Sequence, residues 1–288
     1  MEKEVAGGGS WTTFLWGVPA LLWQVLFFYT PLIFLLGTSF IKQVSETSYV
    51  FTLEHYKALI NPLYIPIFAR SFFLALVAVT MCLIVAYPVA YYITLRLKRW
   101  KTFCFALLIL PFWTNFLLLV YAWYFLLERD GLVNSVLLKL GLISEPLFMM
   151  HTQGAVLCGM FYCYLPFMLL PLYSAFERFD ERLLDASSDL GATDWQTFTR
   201  IMLPLTLPGI KTGALLVFIP AFGEFVIPAL LGGDKQMYIG SVITHYFLAM
   251  RDVPMGSAFT CVASCALVLA LLVIFVTHFL LRKGDQRG

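Results

Sequence analysis

Six apolar runs, each long enough to cross a bilayer, constrain this chain more than any other feature of its sequence. A membrane-spanning helix takes roughly 20 largely apolar residues. Segments 13–41, 68–95, 104–127, 153–176, 207–231 and 258–281 meet that length. Charged residues make up only 12% of the chain, too few to cover a water-soluble body of 288 residues. The expectation is an all-α polytopic membrane protein, with residues 1–288 forming one transmembrane domain of six helices. The first run is too long for the core of a secretory leader and lacks a clean small-x-small cleavage site, so it is expected to stay.

Six spans place both termini on one side, and the basic residues choose that side. Twelve of the nineteen Lys and Arg fall with the termini, and the block RLKRWK concentrates four of them in Arg96–Lys101. Both termini and the loop between the second and third spans therefore read as cytoplasmic. So does the segment between the fourth and fifth, while the loop 232–257 reads as outer. Within the outer loops, TLEHYKALINP reads as a short helix with Thr52 as N-cap and Pro62 just past its end. The run 134–143, NSVLLKLGLI, has helical spacing suited to the interface. Pro88, Pro166, Pro171 and Pro220 fall inside spans, where they are expected to kink the helices.

Composition also removes several classes of function. The net charge of +2 offers no field for nucleic acid. No Gly-rich phosphate loop ending in Lys and Ser or Thr occurs, so the chain is not expected to hydrolyse ATP itself. The six cysteines fall inside apolar runs without zinc-site spacing and read as buried thiols. The four histidines are scattered, and no metal or cofactor is expected.

Segment 180–204 departs from this apolar background. Six acids crowd into it and its approach: Glu177, Asp180, Glu181, Asp185, Asp189 and Asp194. Asp180 is placed to cap a helix beginning at Glu181. Leu183, Ala186 and Leu190 share one face of that helix. Gly191 sits where a left-handed terminator belongs. Thr193 and Gln196 form a capping-box pattern that opens a second helix striped by Trp195, Phe198 and Met202. Pro204 and Pro208 are expected to break this helix before the next span. A helix, glycine turn and helix with one apolar stripe and charged edges suits docking into a partner's groove.

The spacing resembles the signature of permease subunits of ATP-binding-cassette importers: an acid with two alanines, three residues, Gly, nine residues, then Ile-x-Leu-Pro. Here it is Asp185, Ala186, Ser187, then Gly191, then Ile201, Leu203 and Pro204. Asp185 stands for the family's usual Glu, and Ser187 for the second Ala. The resemblance implies a type I importer permease fold whose cytoplasmic coupling helix sits in a cleft of an ATPase subunit. It widens through LPFWTNFLLLVYAW, YLPFMLLPLYSAFERFD and FIPAFGEFVIPALLGG, which are similar to polyamine permeases of spermidine and putrescine importers. The GEFVIP run is closer to the putrescine type. This family implies a pore of two different permeases in the bacterial inner membrane, two copies of an ATPase that binds the ATP, and a periplasmic polyamine-binding protein.

A polyamine needs groups that replace water around its ammoniums, and carboxylates and aromatic faces do so. Glu224 is the one acid of the seventeen that lies within an apolar run. An ionisable group there is a candidate by default, because its burial costs about 2.5–3.5 kcal/mol on insertion scales. The competing reading is a structural Glu that pairs with a helix end or a partner-subunit group, or stays protonated. Trp113, Asn115, Tyr121, Tyr162 and Tyr164 are candidates for lining the same path. Arg70 reads as snorkelling to the headgroups. The rival readings are an iron, sulfate or thiamine importer of the same family, and a channel or secondary transporter working alone.

Overall fold

Inside a bilayer an unpaired backbone group costs several kcal/mol, so a spanning chain closes its hydrogen bonds within helices. The computed structural model follows that rule and describes residues 10–45, 48–97, 99–233 and 236–285. Lys3, Lys98, Lys235 and the terminal residues, which the topology argument used, lie outside this range. In chain order, α1 runs Ser10–Gln24, passes a π-helical turn Val25–Tyr29 and continues as Thr30–Thr38. Strands β1 (Ile41–Ser45) and β2 (Ser48–Phe51) follow, then α2 (Glu54–Leu59) and α3 (Ile65–Tyr91) with a π-helical turn Tyr92–Arg96. Next come α4 (Lys101–Ile109), α5 (Phe116–Leu127), α6 (Leu132–Lys139) and α7 (Gln153–Glu177). Helix α8 is Arg182–Asp189, α9 is Asp194–Phe222, α10 is Ile239–Thr244 and α11 is Val253–Asp285. Among the described residues, five helices are long and apolar enough to cross a membrane, and a bent pair makes a sixth.

That pair replaces the unbroken third helix expected over 104–127. Lys101–Trp113 and Phe116–Lys139 meet at 91°. Pro111 sits in a 3-10 turn, Leu110–Trp113, and Thr114 is extended at φ −80°, ψ 166°. Asn115 then starts the chain again, its side chain accepting from Leu117 N at 2.8 Å. A proline followed by an Asx cap is a stop and a start, hidden here by apolar neighbours.

The chain divides into two units. The first comprises residues up to 61 and from 243 onward. In it β1 and β2 form an antiparallel hairpin pairing Ile41 with Phe51, an element the sequence reading did not anticipate. Phe40 stacks on Phe51, and Ser39, fully buried, shares a hydrogen bond with Tyr56 at 2.7 Å. Helix α2 starts one residue later than a Thr52 cap would set it, with Leu53 at the N-cap position, although Thr52 Oγ1 still accepts from Glu54 N at 3.1 Å. Lys42 hydrogen-bonds Glu54, and that bond and charge hold the Glu54 carboxyl below its usual range. The hydroxyls of Thr38 and Ser257 meet at 3.0 Å, fastening α1 to α11.

The second unit, 62–242, is built around α3, α7 and α9, which pack on one another. Lipid tails are as apolar as leucine, so close backbone approach rather than hydrophobic drive holds such helices together. Helix α3 offers a stripe of buried small residues, Ala75, Ala78, Cys82, Ala86 and Ala90. Helix α9 offers Gly209 and Gly213, one turn apart. A Cβ at Gly209 would lie 2.7 Å from Ala175 Cβ and 2.8 Å from Pro171 O, and one at Gly213 would lie 2.7 Å from Met168 Sδ. Outside this core, Asn134 is 1% exposed and pins α6 by donating to Arg129 O and Leu147 O and accepting from Leu147 N. Not every cysteine is buried: Cys265 is exposed on this chain's surface.

Candidate functional site

Two places in the second unit concentrate polar chemistry. The first is the segment after α7. Its helix α8 begins at Arg182, one residue later than expected, and Asp180 Oδ1 still accepts the Arg182 N–H at 3.0 Å. Gly191 has φ 75°. Ala192 N reaches Ser187 O at 3.0 Å and Gly191 N reaches Ser188 O at 2.9 Å, the paired bonds that close a helix on a left-handed residue. The capping box forms in both directions: Gln196 N donates to Thr193 Oγ1 at 3.3 Å and Thr193 N to Gln196 Oε1 at 2.9 Å. Asp185, Ala186 and Gly191 are exposed, and Leu190 on the apolar face is 88% exposed. Trp195 is also uncovered at 71%. Ser187 is buried, and its hydroxyl lies 2.9 Å from Thr197 Oγ1. The position where the family resemblance has alanine thus ties α8 to the start of α9.

Pro204 and Pro208 do not break the second helix. Ile201 and Met202 belong to a π-helical turn, Phe198–Met202, in which Leu203 N bonds back to Phe198 O. The helix continues through Leu203–Phe222 with Pro204 in its first positions. A proline lacks the amide proton, and the wider turn before it absorbs the mismatch. Helix α9 therefore runs 29 residues from the segment into the apolar core. At its base Phe198 packs 5.7 Å from Tyr87, and the Tyr87 and Thr206 hydroxyls meet at 3.1 Å.

The second place is the far end of α9, at Gly223–Phe225, where the run 207–231 is interrupted. The irregularity expected from Pro220 and Gly223 is present: α9 stops at Phe222 and a π-helical turn, Pro228–Gly232, follows. Glu224 bridges the gap. Its Oε1 accepts from Val226 N at 2.8 Å and Ile227 N at 3.3 Å, and its Oε2 accepts from the Tyr164 hydroxyl. Two amide protons at the start of a helical turn hold Oε1 in place. Glu224 is half-buried, not sealed.

Sequence reasoning missed what holds this gap open. A Cβ at Gly240 would lie 2.3 Å from Gly223 O and 2.8 Å from Glu224 O, so only glycine lets α10 abut the break. Ser71 Oγ accepts from Ile239 N at 2.9 Å, anchoring α10 to α3. Gly159 of α7 lets Ile227 and Leu231 approach to 3.0 and 2.6 Å of its Cβ position. No local pattern marks these residues.

Of the aromatic candidates, Tyr164 joins Glu224. Tyr162 packs 5.5 Å from both Phe112 and Trp123, one ring from each half of the broken third helix. Asn115 is spent as the cap of α5. Trp113 is 84% exposed and Tyr121 is exposed on the same broken element, and no recorded contact brings either to Glu224.

An apolar helical body, a protruding capped segment and a polar break inside a span define an integral inner-membrane permease. The chain belongs to the family of binding-protein-dependent transport system inner membrane components, whose model matches residues 62–284. It is 42% identical over 263 residues to the spermidine/putrescine transport system permease protein PotB of Escherichia coli (strain K12), covering 91% of this chain and 96% of that protein. The PotB protein of Salmonella typhimurium (strain SL1344) is also 42% identical, with 91% and 92% covered. Among solved structures, a bacterial ABC transporter involved in the import of the acidic polysaccharide alginate matches with TM-score 0.69 at 19% identity, over 93% of this chain and 94% of that one. That likeness fixes the fold as the type I importer permease.

Proposed function

We propose that this chain is half of the pore of an ATP-driven importer of polyamines, and that Glu224 is the point where the cation meets the protein. The other half is a second permease of the same kind. Two copies of an ATPase seat the α8 segment, and a periplasmic polyamine-binding protein delivers the cargo. The chain performs no chemistry on its substrate. The observation that carries the reading is the carboxyl group of Glu224, held by two backbone amides and the Tyr164 hydroxyl at a helix break in an otherwise apolar span. An ammonium can replace water on its remaining lone pairs, Tyr164 supplies an aromatic ring hydrogen-bonded to it, and Tyr162, Trp113 and Tyr121 are candidates for the rest of the path. The 42% identity to spermidine/putrescine permeases supports the same cargo class. The lean toward putrescine rests on GEFVIP alone, and competition between the two amines for uptake decides it.

The coupling role falls to Asp185, Ala186, Ser187 and Gly191, with Ile201, Leu203 and Pro204 forming the root of α9. Exposed Leu190 and Trp195 flank the turn and support docking there. Closure of the ATPase dimer would push this segment and switch the path from inward- to outward-facing. On this reading the termini and Arg96–Lys101 are cytoplasmic. A cysteine at Met237 should label from outside and one at Arg99 should not, and the reverse pattern overturns the orientation.

A second reading has its own support. The bonds from Val226, Ile227 and Tyr164 already occupy Glu224, as a purely structural cap would be occupied. Glu224→Gln separates the two, because it keeps size and acceptor oxygen while deleting charge. The proposal expects uptake per intact complex to fall about tenfold, the worth of one lost ammonium contact, with ATPase subunits still bound. The structural reading expects a lower melting temperature, with uptake per surviving complex unchanged.

A further inference from the structure

Arg70 takes no part in either polar region. It is exposed one turn into α3, at the end of the second unit opposite the α8 segment: α7 begins beside it at Gln153 and delivers that segment after Glu177. The 25 residues of α7 separate the two ends by roughly 37 Å. Arg70 has no acidic partner among the described residues.

A crevice of about 260 Å³ opens beside it between α3 and α7. Arg70, Gln153 and Tyr238 form its mouth, and Phe73, Val77 and Leu157 form apolar walls below. Positions 70, 73 and 77 lie on one helix face, and 153 and 157 on another. The polar mouth is fixed in place. Gln236 Oε1 accepts from Gln153 Nε2 at 2.8 Å and from Tyr238 Oη at 3.0 Å, and Tyr238 is buried. From Arg70 to Val77 the walls descend about 10 Å along the helix. Phe73 at their edge is 67% exposed.

We propose that this crevice binds an anionic phospholipid, its phosphate on Arg70 and Gln153 and one acyl chain along Phe73, Val77 and Leu157. The charge selects the occupant. Apolar walls alone gain nothing over bulk lipid, because acyl chains already surround the protein. An exposed guanidinium near the start of a spanning helix, with a hydrogen-bonding amide beside it, favours a phosphate of net negative charge. A zwitterionic lipid fits the same walls but brings its own cation to Arg70. A neighbouring protein would need an acid at this height to match it. The inference does not depend on which solute the importer carries.

The test is lipid titration of the purified importer complex by native mass spectrometry, with phosphatidylglycerol and phosphatidylcholine as probes. The complex should take up phosphatidylglycerol preferentially. Arg70→Gln should lower that preference about fivefold, the weight of one basic residue at a lipid surface. Arg70→Lys should keep most of it. Leu157→Trp should fill the crevice and reduce occupancy by both lipids, and it serves as the test if Arg70→Gln fails to assemble. Unchanged phosphatidylglycerol preference in Arg70→Gln, or unchanged occupancy in Leu157→Trp, overturns the proposal. So does efficient cross-linking of a cysteine at Phe73 to the second permease or to the binding protein in native membranes, because the crevice then belongs to a protein interface.

Discussion

The two ends of α9 are organised by opposite means. At the α8 end the bonds described for the segment are local: Asp180 to Arg182, Ser187 to Ala192, Thr193 to Gln196. At the far end the local amides of Val226 and Ile227 hold one oxygen of Glu224, but the site is completed by residues distant in sequence, Tyr164 from α7, Gly240 from α10 and, behind it, Ser71 from α3. A locally encoded element keeps its shape whatever the core does, which suits a part handled by a motor. A site assembled from several helices changes when those helices move, which suits a gate. The difference predicts which substitutions damage the whole fold and which damage only one end.

The largest effect should come from Gly240→Val, which drives a branched side chain into Gly223 O and Glu224 O. Overpacking of this kind costs about 1–3 kcal/mol. It should lower the melting temperature of the complex and reduce uptake below what the surviving complex explains, since Glu224 moves. Normal uptake per complex would mean the break is not set by α10.

Gly191→Asp comes next. A Cβ there meets nothing in this chain, so the cost is that of left-handed geometry, about 1 kcal/mol, plus whatever the docking surface loses. Membrane insertion and thermal stability should barely change, while transport and stimulated ATPase turnover fall together. Both activities at wild-type level would remove the coupling role.

Thr193→Ala removes one half of the capping box and should cost about 1 kcal/mol of local helix stability. Amide exchange should quicken at Asp194–Gln196 and stay unchanged at Val226 and Ile227. Faster exchange at both ends would show that the ends are not independent. Ser187→Ala restores the residue type of the family signature and removes the bond to Thr197 together with the hydroxyl's bond to Leu184 O within α8. About 1 kcal/mol or less is at stake, because the Thr197 hydroxyl is partly exposed and finds water. Coupling efficiency should soften slightly; a loss as large as that of Gly191→Asp would make Ser187 a docking contact instead of a tie.

The same contrast explains what could be read from the sequence. Gly191, Thr193 and Gln196 announce their turn because capping is a short-range code. Glu224 could be singled out because an acid in an apolar run is rare. Its partners could not, because a glycine such as Gly240 looks the same whether it faces lipid or a carbonyl. The break at Pro111–Asn115 had a signal, a proline and an Asx cap four residues apart, but the apolar count over 104–127 masked it. The hairpin of β1 and β2 had alternation in IKQVS and SYVF, yet lay in the shadow of a long helical run. Pro204 misled in the other direction, since a π-helical turn carried the helix through it.

That turn has a mechanical consequence. With α9 spanning 29 residues, about 43 Å, a twist applied at Trp195 would be carried as a twist to Phe222, at the edge of the break. Each residue of a helix advances the azimuth by about 100°. The turn Phe198–Met202 holds one residue more than an α-helical turn would, so it offsets the angular phase between the two ends by that amount. Deleting one residue from it would restore a regular turn and leave the two ends nearly in phase, whereas winding the extra residue into a regular helix would swing one end about a quarter-turn against the other. The relative aim of the two ends is set by how one inserted residue is wound, separately from the shape of either end.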